Sequence, residues 1–540
     1  MRASELVVQC LEQEGVRYVF GIPGEENVEL LSALTKSSKI RFVLTRDERG
    51  AAFMAQMWGR LSGTPGVCIS TLGPGATNLT TGIANAYLDF AAMVALTAQT
   101  SINKIHKESH QYIDILSMFK SITKWSARVH TPEGIPEIMR KAFMIASTEK
   151  PGPVHIEIPE DIPALPADRG PLSPSPITYP APSAQAISLA VEAIRRSKQP
   201  VILAGNGVIR GKATAELFAF AKKLSIPVTT TFMGMGAIPA DDELFISTVG
   251  LQSRDYISCG FERADLVIAV GYDPVEFSPE YWMGGKETIH IHFTLPETER
   301  SFTPMEVVGD IRKTLSILAE EITEEKDPSY FMKLRGFAEK VTGCSFRGFP
   351  VKPLRVVRDI RSALGRGDIL ISDVGAHKIW IGRFYPAYQG DTALISNGLA
   401  SMGFALPSAI AAKLLYPDKK VVVAIGDGGL LMSFSEIETA VRLGLSFVCL
   451  VFNDGGLGLI EWKERLRYGE DFFVRFNNPD FVKLAESFGA KGYRISSEDE
   501  LLPVLKEALA QKVPALIDCP VDYSENVLLS EKLGKLICPM

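Results

Sequence analysis

The sequence predicts an α/β protein of three parallel-sheet domains, and three observations carry that prediction. The chain has 540 residues, beyond the roughly 250–300 at which one hydrophobic core stops growing, so about three to four domains are expected. Two stretches then break the hydrophobic pattern. Residues 159–182 hold Pro159, Pro163, Pro166, Pro171, Pro174, Pro176, Pro180 and Pro182; proline donates to neither helix nor sheet, so this reads as an extended tether. Residues 320–353 open on Glu320-Glu321-Ile322-Thr323-Glu324-Glu325-Lys326-Asp327-Pro328 and later hold Gly343, Gly348, Pro350 and Pro353, a second boundary. The domains so delimited are 1–165, 183–320 and 354–540. Within each, short, nearly continuous apolar runs alternate with amphipathic stretches, the pattern of parallel sheets covered on both faces.

The elements follow in order. Apolar spacing predicts a helix over 4–14, stopped by Gly15, and Arg17-Tyr18-Val19-Phe20 reads as a strand. A strand over 40–44 precedes a helix near 51–60, and 66–71 is a third strand. The second domain offers strands at 201–204, 228–231, 266–270 and 289–292, the third at 369–372, 421–425 and 447–452.

Composition narrows the function. Hydrophobic residues make up 46% and charged residues 22%, as in an ordinary globular protein. A net charge of −6 provides no basic field for nucleic acid or an anionic membrane. No run approaches the ~18–20 apolar residues of a membrane span. The start, Met1-Arg2-Ala3-Ser4-Glu5, lacks a signal-peptide core, so a cytoplasmic location is expected. The cysteines (Cys10, Cys68, Cys259, Cys344, Cys449, Cys519 and Cys538) are odd in number and never spaced Cys-x-x-Cys, which argues against a disulfide framework or a thiolate zinc site.

The sharpest chemical signal runs from Lys420 to Trp462. A buried-type strand, Val421-Val422-Val423-Ala424-Ile425, leads straight into Gly426-Asp427-Gly428-Gly429, and a helix follows with Gly444 as its stop. A second buried strand then ends in Asn453-Asp454-Gly455-Gly456. In a βαβ unit both strand ends open at the carboxyl edge of the sheet, where open α/β sheets bind ligands. Asp427 and Asp454 are thereby presented side by side. Two carboxylates with nearby carbonyls suit Mg²⁺, which is usually held together with phosphates of a bound ligand, and N–H groups at a helix start cradle phosphate. Read without its partner, Asp427 would serve equally as a helix cap and Asp454 as a turn residue.

Gly426-Asp427-Gly428, closing on Asn453-Asp454 after one helix and one strand, resembles the thiamine-diphosphate motif. The whole chain resembles the acetolactate synthases, acetohydroxyacid synthases, pyruvate oxidases and 2-oxo acid decarboxylases. Aspartate at 454, where most members have Asn, together with 436–442 and the tail Pro520-Val521-Asp522-Tyr523-Ser524-Glu525-Asn526, is similar to the catabolic, flavin-independent acetolactate synthases. The resemblance implies a pyrimidine-binding first domain, a central domain and a diphosphate-binding third domain. It implies Asp427, Asp454 and the Gly456 carbonyl as Mg²⁺ ligands, with Gly426, Gly428, Gly429, Leu457 and Gly458 around the diphosphate.

It further implies a catalytic glutamate, supplied by Glu48 in Thr45-Arg46-Asp47-Glu48-Arg49-Gly50-Ala51-Ala52, where the family has Arg-His-Glu. The carboxyl beside the aminopyrimidine exchanges a proton with its ring nitrogen; outside that pattern Glu48 is only a first-turn acid favoured by the helix dipole. Asp47 replaces the usual His, a second carboxylate able to raise the pKa of Glu48 unless Arg46 or Arg49 compensates. Leu88-Asp89-Phe90-Ala91-Ala92-Met93 departs from the relatives' Gly/Asp-Pro turn.

By the same resemblance Gly73 and Asn78 lie near the thiazolium, Ala376 and His377 reach the diphosphate, Gly398 contacts the pyrimidine and Met402 is the apolar wedge that bends the cofactor. His377 and Met402 also suit ordinary structural roles. Gln99, His110 and Gln111 align with the substrate pocket; His110 is alternatively a surface loop residue. Glu461 is a further pocket candidate. The implied activity is decarboxylation of a 2-oxo acid with carboligation, two pyruvates giving 2-acetolactate and CO₂. A 2-oxo acid decarboxylase without ligation, for example of 2-oxoglutarate, is the alternative, and a non-catalytic relative of the fold a third. Gly205-Asn206-Gly207-Val208-Ile209-Arg210-Gly211 follows a strand and hints at nucleotide binding but misses the dinucleotide spacing, and the resemblance to the flavin-independent branch implies that FAD is not used. His290 and His292 share one strand face without a third ligand and read as structural. A homodimer or homotetramer is implied, with each site between the first domain of one subunit and the third of another.

Overall fold

In the computed structural model the alternating pattern resolves into three six-stranded sheets in which every strand pair is parallel. All residues are described except 251–255, 284, 298–299, 301, 342–345, 528 and 530–540. The first sheet comprises β1 (Tyr18–Gly21), β2 (Arg41–Leu44), β3 (Gly66–Ser70), β4 (Met93–Gln99), β5 (Trp125–Arg128) and β6 (Pro153–Pro159), in the order β2-β1-β3-β4-β6-β5. The second comprises β7 (Pro200–Ala204), β8 (Val228–Thr230), β9 (Phe245–Thr248), β10 (Leu266–Val270), β11 (Thr288–His292) and β12 (Met305–Val308), ordered β12-β11-β10-β7-β8-β9. The third comprises β13 (Ile369–Ser372), β14 (Ala393–Ile395), β15 (Val421–Gly426), β16 (Val448–Asn453), β17 (Lys491–Arg494) and β18 (Ala515–Pro520), ordered β14-β13-β15-β16-β18-β17. The first and third sheets thus repeat one winding, while the central sheet has the order of dinucleotide-binding folds, reversing between β7 and β10.

The central strands are apolar because helices bury both faces: β3, β4 and β10 are buried along their whole length. The first and third domains share one hydrophobic cluster. In it the helix Glu48–Ser62 packs on the helix Ala405–Leu415, and Phe53 meets Phe404 edge to face at 5.7 Å. Both rings are fully buried. Phe404→Ala is expected to cost about 3–5 kcal/mol, transfer term plus cavity, measured as a drop in the urea midpoint.

Most predicted elements recur with ends shifted by a residue or two. The helix near 51–60 begins earlier, at Glu48, because Asp47 caps it: its carboxylate accepts the Arg49 N–H at 2.7 Å. Gly63, in the left-handed region at φ 74°, ends it. Residues 320–353 are not a bare boundary. The helix Ser329–Val341 lies inside them, held by Phe331 and Leu334 in a cluster with Phe261 and Trp282. The flanking charges and prolines masked that apolar pair; Gly343 lies outside the described residues. Cys10, Cys68, Cys449 and Cys519 are free buried thiols. No helix among the described residues is long and apolar enough to cross a membrane.

Candidate active site

β15 and β16 are neighbours in register, with Gly426 opposite Phe452, so both strands release the chain at the same sheet edge. Asp427 is the first residue of the helix Asp427–Ser433 and is only 1% exposed. Its Oδ1 accepts the Gly428 N–H at 2.8 Å, and its Oδ2 accepts the Gly455 N–H at 2.8 Å and the Asn478 amide at 2.7 Å. Gly455 belongs to the loop after β16, so Asp427 directly tethers the loop that carries Asp454. Burial, and then the charge of Asp427, push Asp454 up to about 7; burial likewise raises Asp427. Two buried acids at a shared edge, one of them raised by the charge of the other, form an electron-rich site wanting a cation.

The surroundings fit a cation–diphosphate pair. Among the described residues no three His, Cys, Asp or Glu side chains converge, so the protein offers two carboxylates and must leave other positions to carbonyls, water or ligand oxygens, as Mg²⁺ prefers. Gly458 lies against Asp454 and Tyr523, where a side chain would strike the carboxylate. Gly456 pairs with Arg475 in an isolated bridge, and the Leu457 N–H donates to the Val474 carbonyl at 2.9 Å. His377, one residue after Ala376 in the helix Ala376–Phe384, is buried and held neutral, and its Nε2 has no partner. A Cβ on Gly426 would sit 3.5 Å from the His377 Cε1, so the ring borders the Gly-Asp-Gly turn. Its unpartnered Nε2 is the kind of buried polar atom that a bound ligand or water satisfies. Met402 reaches toward Gly428, along with Leu457 and Phe476: its Cε would be 3.4 Å from a Cβ there.

Glu48 belongs to a second constellation. It is 8% exposed, and its Oε2 accepts the Asn78 amide at 3.0 Å, while its Oε1 borders Gly75. Gly73, at φ 49°, lies against Gln111, whose carbonyl would be 2.7 Å from a Cβ at that position. Gln111 itself adopts φ 57°, a conformation rare outside glycine. His110 and Gln111 are exposed. Gln99 is instead fully buried, donating to the Ile113 carbonyl and Glu157 at 3.1 Å each, so it braces this loop from inside. The turn before Glu48 is gripped by the third domain: Glu436 Oε1 accepts the Arg46 and Asp47 N–H groups at 2.9 and 3.1 Å, Arg442 donates to the Leu44 carbonyl, and Arg49 donates to the Met432 carbonyl. Asp47 caps its helix and pairs with Arg49 at 3.9 Å.

Three members of the site were not among the residues assigned a role from the sequence, although Asp373 and Tyr523 lie within the motifs that carry the resemblance. Asn478, in the loop before Pro479, bridges Asp427 and Asn453. Tyr523 is half-buried, and its hydroxyl is pushed well up by burial and by the charges of Asp454 and Asp427. Asp373, pushed up to about 6 by burial, accepts N–H groups from Val374, Gly403 and Ala405 and so ties β13 to the segment carrying Met402. Glu461 is paired with Arg465 and Arg475.

The comparisons with known proteins agree with this geometry. The family described as thiamine pyrophosphate enzyme matches in three parts: the N-terminal TPP binding domain over residues 1–118, the central domain over 187–318 and the C-terminal TPP binding domain over 373–519. The chain is similar to the acetolactate synthase of Bacillus subtilis (strain 168), 35% identical over 547 aligned residues covering 99% of this chain and 96% of that protein. It is similar to the catabolic acetolactate synthase of Raoultella terrigena, 35% identical over 542 residues covering 98% and 97%. The probable acetolactate synthase large subunit of Methanocaldococcus jannaschii is 36% identical over 563 residues, covering 99% and 94%. Three α/β sheets in this order, a glycine-flanked aspartate pair at one sheet edge and likeness over nearly the full length of these relatives lead to one conclusion: the chain belongs to the thiamine pyrophosphate enzyme family.

Proposed function

We propose that the protein is an acetolactate synthase of the flavin-independent type, joining two pyruvates into 2-acetolactate with loss of CO₂, with thiamine diphosphate and Mg²⁺ as cofactors. The observation that carries this reading is the near-complete coverage, in both directions, of relatives named acetolactate synthases, one of them catabolic. When bound, thiamine diphosphate supplies the electron sink that lets a 2-oxo acid lose CO₂. In this reading Asp427, Asp454 and the Gly456 carbonyl hold the metal, and the His377 ring lies beside the diphosphate. Met402 sets the bend, Glu48 carries the proton exchanged with the pyrimidine nitrogen, and Asn78 fixes the Glu48 carboxylate for that exchange. Gln111 and His110 face the oxo acid beside Gly73.

Two features support a site shared between subunits. The hydrogen bonds of Glu48 stay within its own domain's constellation, and those of Asp427 within the other. Beside the latter, Leu431, Met432, Ile460 and Phe473 are exposed, apolar surface suited to a second subunit. A homodimer, or a homotetramer of dimers, follows. Flavin is left out for a geometric reason. At the reversal point of the central sheet, where a dinucleotide's diphosphate would meet the start of the helix Asn206–Arg210, the Glu276 carboxylate already accepts the Asn206 N–H at 3.0 Å.

Product analysis with thiamine diphosphate and Mg²⁺ tests the reading. Pyruvate should yield 2-acetolactate and CO₂ in a 1:1 ratio. Acetaldehyde from pyruvate, or succinic semialdehyde from 2-oxoglutarate without any ligation product, would sink it in favour of a simple decarboxylase.

A further inference from the structure

The segment 395–401, which holds Gly398 and leads to Met402, is gripped by the first domain of the same chain, and one anion dominates the grip. Asp89 ends the helix Pro74–Leu88 and is 2% exposed. Its Oδ1 accepts the backbone N–H groups of Asn397 at 3.1 Å and Gly398 at 2.7 Å. Its Oδ2 accepts the Gln56 and Asn85 amides at 3.3 and 3.2 Å. All four neighbours donate, so the group they surround is an ionised, acceptor-only carboxylate. The balancing cations hold the same stretch: Arg60 donates to the Ile395 carbonyl at 3.0 Å and Lys378 to the Ser396 carbonyl at 2.9 Å. Asn85 completes the set by accepting the Ser396 hydroxyl at 2.8 Å. Glycine at 398 is required for this approach, since a Cβ there would fall on the Leu88 carbonyl.

We infer that Asp89 is a positioning residue for the pyrimidine end of the cofactor: through the Asn397 and Gly398 N–H groups it holds the segment against which the aminopyrimidine lies. The inference rests on the functional reading above. A charge buried at this point does more than join two domains, because the atoms it grips are the backbone of the recognition segment itself. Charge-assisted bonds to backbone N–H groups are roughly twice as strong as neutral ones, so their weakening loosens that segment before it unfolds the domain.

Asp89→Asn keeps the shape and removes the charge. In calorimetric titrations of the full-length protein with Mg²⁺ present, the variant is expected to bind thiamine diphosphate about tenfold more weakly, about 1.4 kcal/mol. Its affinity for inorganic pyrophosphate, which engages only the Asp427–Asp454–His377 end, should be unchanged. Equal weakening for both probes means a merely structural role and overturns the proposal, as does unchanged thiamine diphosphate affinity. Should Asp89→Asn not fold, Ser396→Ala, which cuts only the hydroxyl bond to Asn85, must give the same selective loss in smaller measure; no selectivity overturns the proposal. Wild-type protein that binds inorganic pyrophosphate but not thiamine diphosphate would instead overturn the functional reading beneath it.

Discussion

Glu48→Gln is expected to lower turnover of pyruvate by roughly 10²–10⁴-fold, the range a positioned acid–base group contributes, with thermal midpoint and secondary structure unchanged. The glutamine is isosteric, and its oxygen still accepts the Asn78 amide that Glu48 Oε2 now accepts. What it cannot do is carry a proton to and from a ring nitrogen. The backbone around it is over-determined: Arg46 and Asp47 donate to Glu436, Arg49 donates to Asp47, and Arg442 holds the Leu44 carbonyl. The substitution therefore changes chemistry and leaves geometry alone. Steady-state kinetics beside a thermal melt separate the two, and wild-type turnover in a folded variant would remove Glu48 from the mechanism.

That same turn marks where a linear reading succeeds and where it stops. The pairing of Gly426-Asp427-Gly428 with Asn453-Asp454 was legible because both aspartates follow buried apolar strands, and one βαβ unit between them forces their ends to a common edge. The grip of Glu436 on Arg46 and Asp47 was not, since it spans 390 residues of sequence and no local periodicity records which domains will pack. Burial raises Glu436 to about 7, as expected of a carboxylate inside a domain interface. Asp47, the helix cap, turns its carboxylate to the Arg49 N–H and pairs with the Arg49 side chain, a partner that only the folded turn supplies.

Element type followed from pattern in β3, β10 and β15, whereas β4, β6 and β18, buried as completely, went unmarked. The strands left unmarked include β5 and β17, edge strands of four residues with mixed burial, where alternation is too short to separate from a loop. Asn478 shows the limit most plainly. It is a turn asparagine by composition, and only the fold turns its amide onto Asp427.

Asp427→Asn should weaken Mg²⁺-dependent binding of thiamine pyrophosphate by at least about 100-fold, more than outer-shell changes cost metal sites, because a hard cation loses an anionic ligand. The accompanying pH effect gives the assignment a second, independent readout. Asp454 titrates near 7 in the folded protein, above the ordinary carboxylate value it has when unfolded. Between those two values the folded state binds the extra proton, so this group makes the cofactor-free protein progressively less stable as pH rises through the window. Mg²⁺ with thiamine pyrophosphate should reverse that trend, since binding requires both carboxylates ionised: the rise in Tm on adding them should be larger at pH 8 than at pH 6. In Asp427→Asn the charge that helps raise Asp454 is gone, so the pH slope of the cofactor-free protein should flatten. Asp373 and Glu436, which also titrate near this window, remain in both proteins; the difference between the two slopes therefore isolates the aspartate pair. Melts of both proteins from pH 5 to 8, with and without Mg²⁺ and cofactor, decide it: identical slopes, or a cofactor-induced rise in Tm that persists in the variant, would show that Asp427 and Asp454 do not act together on a metal.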